Sequence, residues 1–424
     1  MRGEVTLPGD KSIAHRAIIL SSLANAKTIV RNFPLNEDSL ATIAAFRKLG
    51  IKIALNKASY CAVVHGKKLY GLRKPGSGVY IKESGTTFRL LLGVLAGQPF
   101  KAKLCAGPSL SRRPMLRVIE PLRLMGAKIS ARSQNYPPVT IAGNDLKGIT
   151  YKLPVASAQV KSAILLAGLF ANGSTRVIEP VKARDHTERM LKLFKADLKI
   201  KGSSVIVKGQ KELVSPGPIY IPSDISSAAF FMVAASIIPD SKVLIKNVSL
   251  NPGRLGVINA LKRMGAKLTV KKSKLNYKGN EPMGDIEIKS SVLAAIRIRK
   301  NDIPSLIDEL PVLMVAASLA KGTSVFEGVS ELRVKETDRI KSMLTNLTKM
   351  DANIKVVRSR GQENIIIKGV NELHGAKVKS FGDHRTAMSM LVAGLAAFGE
   401  TSIDDISCIN KSFPNFLETI NKLI

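Results

Sequence analysis

The sequence predicts an α/β protein of six repeated units, arranged as two halves of three units each. Three recurring patterns carry this reading. A small-residue turn followed by a short β-branched strand appears as "ANAKTIVRN" at Ala24, "AGQPFKAKL" at Ala96, "ANGSTRVIE" at Ala171, "PDSKVLIKN" at Pro239, "AKGTSVFEG" at Ala320 and "AFGETSIDD" at Ala397. The period is roughly 70 to 80 residues, the mark of a repeated supersecondary unit. A helix end, a turn and a strand follow in most copies: "FRKLGIKI" at Phe46, "LRLMGAKI" at Leu122 and "LKRMGAKL" at Leu261, with weaker forms "LKLFKADL" at Leu191 and "LTKMDANI" at Leu347. Finally, a run of small and apolar residues precedes each turn phrase.

Each element follows from its residues. The runs "IAHRAIILSSLA", "TTFRLLLGVLA", "AQVKSAILLAGLFA", "ISSAAFFMVAASII", "ELPVLMVAASLA" and "RTAMSMLVAGLAA" are apolar nearly all round and read as buried helices. Their partners, such as "EDSLATIAAFRKLG" from Glu37, are amphipathic and read as half-exposed. Glycine in the "LG" and "MG" turns reads as a left-handed helix cap.

With 424 residues the chain exceeds one ordinary core, and 45% hydrophobic residues suit globular domains. Cys61, Cys105 and Cys408 are too scattered for a metal site or a disulfide framework, which fits a reducing cytosol. No signal peptide opens the sequence, and no apolar run reaches the ~20 residues of a membrane span. The net charge of +33, from 65 basic and 32 acidic residues, points to acidic partners. The basic residues are spread along the chain, aromatics are only 5%, and no RNA-binding or zinc-finger signature is present, so nucleic-acid binding is a minor alternative.

The starts of the six buried helices hold the chemistry. Lys11 and Ser12 precede the first, in "LPGDKSIAHRA"; Gly85 and Thr86 begin the second, in "ESGTTFR". Asp10 separates Gly9 from Lys11, so the stretch is not a nucleotide phosphate loop. Ser157 and Gln159 begin the third helix; Ser223, Asp224, Ser226 and Ser227 the fourth; Asp308 and Glu309 the fifth; Asp383, His384 and Arg385 the sixth. Caps account for the third, fourth and fifth. They do not account for Lys11, Arg16 and Arg385, cations set against the positive end of a helix dipole. An anion between cation and helix end would resolve that conflict.

Three further stretches each read as ordinary surface or as part of a site. "SLSRRPMLR" holds Arg112, Arg113 and Arg117. "ELRVKETDRIKSML" sets Glu331, Lys335 and Arg339 four residues apart, on one face if helical, with Glu336 between. "ARDHTERM" holds Arg184, Asp185, His186 and Glu188 without a second histidine at metal spacing, which excludes a zinc site there. His384 finds no partner motif for nucleophilic catalysis.

"LPGDKSIAHRA", "SGTTFR", "SLSRRPM", "VASAQVKSA", "ARDHTE", "ELRVKETDR", "GDHRTAM" and "KSFPNF" occur together, in this order. In this the chain resembles the 5-enolpyruvylshikimate-3-phosphate synthases, the 3-phosphoshikimate 1-carboxyvinyltransferases, from about Val5 to Phe416. The resemblance implies two similar domains, each of three βαβαββ units, with the active site in the interdomain cleft. The chain would cross twice, giving a discontinuous domain 1–11 plus 224–424 and an inserted domain 12–223. The implied reaction moves the enolpyruvyl group of phosphoenolpyruvate onto the 5-hydroxyl of 3-phosphoshikimate and releases phosphate, with no metal or organic cofactor.

By the same resemblance, Lys11, Ser12, Arg16, Ser157, Ala158, Gln159, Arg184, Asp308 and Lys335 contact 3-phosphoshikimate. Lys11, Gly85, Arg113, Gln159, Arg339, Arg385 and Lys411 contact phosphoenolpyruvate. Asp308 accepts the proton of the 5-hydroxyl, and Glu336 with Lys11 handles the proton at the methylene carbon. The herbicide glyphosate inhibits most members at the phosphoenolpyruvate site. Cytoplasmic location, a monomer, and no nucleic-acid or membrane partner complete the expectation.

The sequence departs from the family at Glu83, usually Asn, and at Ala106–Gly107, usually Gly-Asp. Either Glu83 turns away from the anion or its loop differs. The sister transferase acting on UDP-N-acetylglucosamine is the alternative enzyme, but it uses a cysteine within the segment matching "SLSRRPM", and Cys105 falls short of it.

Overall fold

The computed structural model describes residues 1–273, 281–359 and 361–424. The chain divides into two compact units. A split unit takes Met1–Pro8 and, among the described residues, nearly all of the chain from Pro222; a central unit takes Gly9–Ile221 together with Glu281. The chain changes unit at Pro8/Gly9 and Ile221/Pro222, which puts Lys11 in the central unit with the helix it opens.

Among the described residues, the central unit carries three four-stranded sheets, and the split unit carries two four-stranded sheets and one of two strands. One repeat shows the plan. Val79–Tyr80 leads into the buried helix Gly85–Ala96, which returns to Lys101–Cys105 in parallel with the first strand. The helix Leu116–Leu124 and the hairpin Lys128–Arg132/Tyr136–Ala142 complete a mixed sheet, the last strand running antiparallel beside the second. A parallel pair needs a crossover, while the hairpin needs only a turn.

The two crossings have a strand-level cause. Arg2–Thr6 pairs in parallel with Lys242–Ser249 of the split unit, yet runs on into Lys11–Leu23 of the central unit. Pro218–Tyr220 pairs in parallel with Lys27–Arg31 of the central unit, yet runs on into Ile225–Ile237 of the split unit. Each unit thus closes one sheet with a strand whose onward connection leaves the unit.

The six buried helices are Lys11–Leu23, Gly85–Ala96, Ala158–Gly168, Ile225–Ile237, Leu310–Ser318 and His384–Ala396. Every residue from Ile225 to Ser236 is buried, as expected of a helix apolar on all sides. The partner helix Glu37–Lys48 buries one face, through Ala41, Ile43, Ala45 and Phe46 among others. Asn36 accepts from the Ser39 N–H at its start, with acids in the first turn and bases in the last.

Gly50, Gly126 and Gly265 take φ of 88°, 108° and 84° after their helices, as the repeated turn requires. Lys195 and Asp351 take φ of 57° and 64° at the matching place in the weaker copies. The turn therefore persists where glycine is absent, at a cost of about 1–2 kcal/mol.

Each unit has its own apolar core. In the split unit Phe416 of "KSFPNF" packs against Phe230 and Phe231, and Phe413 against Phe231, with ring centroids 5.7–6.1 Å apart. That packing anchors the 3-10 turn Ser407–Lys411. In the central unit the second and third buried helices touch backbone to backbone: a Cβ on Gly93 would lie 2.2 Å from the Ala163 carbonyl oxygen. Gly93→Ala is expected to cost about 1–3 kcal/mol through overpacking. Thermal unfolding of the purified variant checks this, and an unchanged midpoint would contradict the close approach.

Candidate functional site

Asp10 caps the first buried helix, accepting from the Ile13 N–H at 3.1 Å. Lys11, the first helical residue, pairs with Asp38 at 2.7 Å, so the cation set against the helix dipole has a carboxylate beside it. One turn on, the Arg16 side chain is buried. It donates to Thr187 Oγ1 at 2.6 Å, Ser162 Oγ at 2.7 Å and the Ser12 carbonyl at 2.8 Å. Among the described residues it makes no ion pair. Burial lowers its pKa to about 10; the charge of nearby Arg184 also lowers it, against Glu188 and Asp10, which raise it. Arg16 is thus a protonated, buried guanidinium held by neutral groups. His15 is held well below its ordinary value, first by burial and then by Lys11 and Arg16, so it adds no charge.

Ser84 caps the second buried helix, which opens on Gly85. A Cβ on Gly85 would lie 3.0 Å from Arg113 Nη1 and 3.1 Å from Arg89 Nη1, so two guanidinium groups converge there. Arg89 donates to Gln159 Oε1 at 2.7 Å, and Gln159 Nε2 donates to Thr86 Oγ1 at 2.9 Å. Ser157 caps the third helix through the Val160 N–H, and Ala158 is its first residue. The structure therefore brings Gly85, Arg113 and Gln159 together, with Arg89 as a member that the sequence reading did not select. Its place four residues after Gly85, on the same helical face, was the available signal.

Behind Arg16, a fully buried Lys161 pairs with Glu188 at 2.6 Å and Glu179 at 3.0 Å. The other oxygen of Glu179 accepts from the Ala183 N–H at 2.9 Å, which ties down the segment carrying Arg184. Burial raises the Glu188 carboxyl above its ordinary value, against the pull of Lys161.

In the split unit, Asp224 caps the fourth helix through the Ser226 N–H. The fifth helix departs from expectation: neither Asp308 nor Glu309 caps it. Their carboxylates instead meet guanidinium groups. Buried Arg254 lies 3.2 Å from Glu309 and 3.8 Å from Asp308, and Ser226 Oγ also donates to Glu309. Arg385 Nη1 donates to the Asp308 carbonyl at 2.9 Å, and Arg385 Nη2 lies 3.8 Å from its carboxylate. Buried Arg339 reaches Asp383 at 2.8 Å, Glu336 at 2.6 Å and Asp308 at 3.5 Å. Burial pulls Arg339 down, but those three carboxylates outweigh it and raise its pKa. Asp383 also caps the sixth helix.

The stretch around Lys335 is not one helix. Ser330–Val334 is a 3-10 turn, Lys335 is its half-buried C-cap, and the α-helix starts only at Arg339 because Asp338 caps it. Residues 331, 335 and 339 therefore do not line one helical face. Arg333 takes Glu363 with two nitrogens, at 2.7 and 2.9 Å, and Asp338 with a third, fixing the loop that carries Lys335 and Glu336. Lys411 Nζ donates to the Gly382 carbonyl at 3.1 Å, just before Asp383. Asp308, Glu336, Arg339, Arg385 and Lys411 thus form a second assembly, with Arg254 an addition that no sequence pattern announced.

Comparison with known proteins gives these two assemblies a family. The family model for EPSP synthase (3-phosphoshikimate 1-carboxyvinyltransferase) matches residues 1–420. The chain belongs to the EPSP synthase family. A 3-phosphoshikimate 1-carboxyvinyltransferase of Desulforamulus reducens is 46% identical over 100% of this chain and 97% of its own. One of Geotalea daltonii is 48% identical over 98% and 95%. A solved EPSP synthase of Acinetobacter baumannii superposes with a TM-score of 0.87 at 44% identity, covering 100% of this chain and 95% of that one. The match over nearly the whole chain supports the EPSP synthase reading and gives no support to the UDP-N-acetylglucosamine transferase or nucleic-acid-binding alternatives. Among the described residues no helix is long and apolar enough to cross a membrane, and no group of three or more His, Cys, Asp or Glu side chains could hold a metal ion.

The buried Lys161 group yields a stability prediction. Lys161→Met leaves Glu179 and Glu188 buried without their cation, and is expected to cost about 3–5 kcal/mol. An unpaired buried carboxylate has a raised folded-state pKa, so the variant's deficit should shrink as the pH falls and the carboxyls take up protons. Melting temperatures of both proteins across pH 5–8 check this; a deficit that grows toward low pH would refute it.

Proposed function

We propose that this chain transfers the enolpyruvyl group of phosphoenolpyruvate to the 5-hydroxyl of 3-phosphoshikimate, forming 5-enolpyruvylshikimate 3-phosphate and inorganic phosphate. The observation that carries the proposal is the full-length match at 44–48% identity to proteins named for that reaction. The site residues support it physically. Both substrates carry a phosphate and a carboxylate, and guanidinium groups at helix starts bind such anions with paired hydrogen bonds.

In this reading Ser12, Arg16, Ser157, Ala158, Gln159, Arg184 and Lys335 hold 3-phosphoshikimate. Gly85, Arg113, Gln159, Arg339, Arg385 and Lys411 hold phosphoenolpyruvate, and Lys11 serves both. Asp308 takes the 5-hydroxyl proton as that oxygen bonds to C2 of phosphoenolpyruvate, while Glu336 with Lys11 protonates C3. In the second half, a proton leaves the new methyl group, the C2–C3 double bond re-forms and phosphate departs from C2. Arg339 touches both Asp308 and Glu336, so one guanidinium aligns the two proton-transfer carboxylates.

The direct test is phosphate release with both substrates present and none with either alone. Asp308→Ala and Glu336→Gln are expected to lower turnover by ~10²-fold or more while substrate binding largely survives. Near-normal turnover in either variant would remove that residue from the mechanism.

Gly85 gives a separate prediction. A methyl group there presses on the heads of Arg113 and Arg89. Gly85→Ala is expected to weaken glyphosate binding by about 1–3 kcal/mol and to raise the KM for phosphoenolpyruvate. Inhibition curves of both proteins in the presence of 3-phosphoshikimate decide it, and equal inhibition would contradict the placement of Gly85.

A further inference from the structure

Glu83 lies two residues before Gly85, and its half-buried carboxylate does not enter the ion-pair pattern of the site. Both oxygens are taken by backbone. Oε2 accepts from the Leu110 N–H at 2.7 Å and Oε1 from the Ser109 N–H at 3.3 Å. These N–H groups open the 3-10 turn Leu110–Arg112, whose own N-cap, Ser109, makes no side-chain cap bond. The same short turn ends on Arg113, whose N–H returns to the Leu110 carbonyl at 3.0 Å. A second tie runs the same way, from the Gly107 N–H to the Lys82 carbonyl at 2.7 Å. Glu83 thus clamps the segment bearing Gly85 to the segment bearing Arg113.

Gly107 fits this clamp. It is not among the glycines at positive φ, so its backbone does not itself demand glycine. A Cβ at that position, however, would lie 2.2 Å from Glu83 Oε1. The space that a side chain of residue 107 would occupy is filled by the Glu83 carboxylate. An Asp at 107 would sit two and three residues before the same two N–H groups, the spacing of a local Asx cap. The turn can therefore be capped from within, or across the segments as here, but not by both groups at once.

We propose that Glu83 is a positioning residue: by capping the Ser109–Leu110 turn across the space left by Gly107, it sets Arg113 against Gly85 and so tunes affinity for phosphoenolpyruvate. The inference rests on the reading of Arg113 as a phosphoenolpyruvate contact. It also settles the departure at Glu83: the carboxylate is turned into its neighbouring loop.

The test compares Glu83→Ala, Glu83→Gln, Glu83→Asn, Gly107→Asp, the double variant Glu83→Asn/Gly107→Asp, and Arg113→Ala by steady-state kinetics. Glu83→Ala should raise the KM for phosphoenolpyruvate about 3- to 30-fold, the scale of a lost cap, with the KM for 3-phosphoshikimate changed less than about twofold. Glu83→Gln keeps the shape, loses one acceptor and should fall between, which covers the case in which Glu83→Ala folds poorly. Gly107→Asp alone should impair phosphoenolpyruvate binding by crowding Glu83, and the double variant should be better than either single change. Loss of KM selectivity, or a double variant no better than its parents, overturns the positioning role. If Arg113→Ala raises the KM but Glu83→Ala and Glu83→Gln do not, the inference fails while the reading of Arg113 stands. If Arg113→Ala leaves the KM unchanged, both fall.

Discussion

A helix that is apolar on every side has only its ends left for polar chemistry. Six such helices form the cores of this protein, and their start residues carry caps and several charged groups of the two assemblies. The first four N–H groups of each helix lack intrahelical partners. A cap side chain accepts from one or two, as Ser84, Ser157, Asp224 and Asp383 do. The positive end that remains favours an anion. The fold thus makes the helix starts favourable places for an anion before any particular side chain is chosen.

The two units hold their buried guanidinium groups in different ways. In the split unit Arg254, Arg339 and Arg385 are interleaved with Asp308, Glu309, Glu336 and Asp383. Those guanidinium groups are oriented by carboxylates already in place. In the central unit Arg16 is oriented by two hydroxyls and a carbonyl, and nearby Glu179 and Glu188 turn to Lys161 instead. Hydroxyls fix a guanidinium without neutralising it. In the proposed reading an arriving phosphate or carboxylate supplies the missing charge, and the desolvation already imposed on Arg16 would strengthen that interaction.

The repeat, the buried helices and the left-handed turns were legible because each is a local pattern: period, composition, and a glycine at one place. Lys195 and Asp351 show the limit, since the backbone keeps the turn after the glycine signal has gone. Candidate site residues were legible where a cation contradicts its helix end, as with Lys11, Arg16 and Arg385. The members missed, Arg89, Arg254 and Lys161, obey local rules and owe their place to partners 18 to 70 residues away. The capping reading of Asp308 and Glu309 failed for the same reason. Their carboxylates turn to Arg254, Arg339 and Arg385 instead, whereas Asp383 caps its helix and pairs with Arg339 at once. Glu83 stood out by resemblance alone, and only its distance to two backbone N–H groups told what it does.

The net charge of +33 illustrates the opposite error, a conspicuous signal located away from the helix starts. Arg2, Lys242, Lys289 and Lys267 lie directly across from one another on four neighbouring strands, all exposed. The corresponding row in a central-unit sheet is Lys27, His65 and Lys52, and in another Lys101 and Lys128 flank Ala142. Like charges facing across a sheet repel by a few tenths of a kcal/mol each, and salt screens part of that. Their position explains how they are tolerated. Lys27, Lys101 and Lys242 each begin the strand that follows a buried helix, so they sit toward the helix C-termini, where a cation is favoured. The sign of the dipole therefore divides each repeat in two. Cations near the C-terminal end answer a charge that the helix already supplies, whereas a cation at the N-terminal end opposes it and needs a carboxylate or a ligand. Only the second kind is evidence of a site, and a net charge cannot tell the two apart.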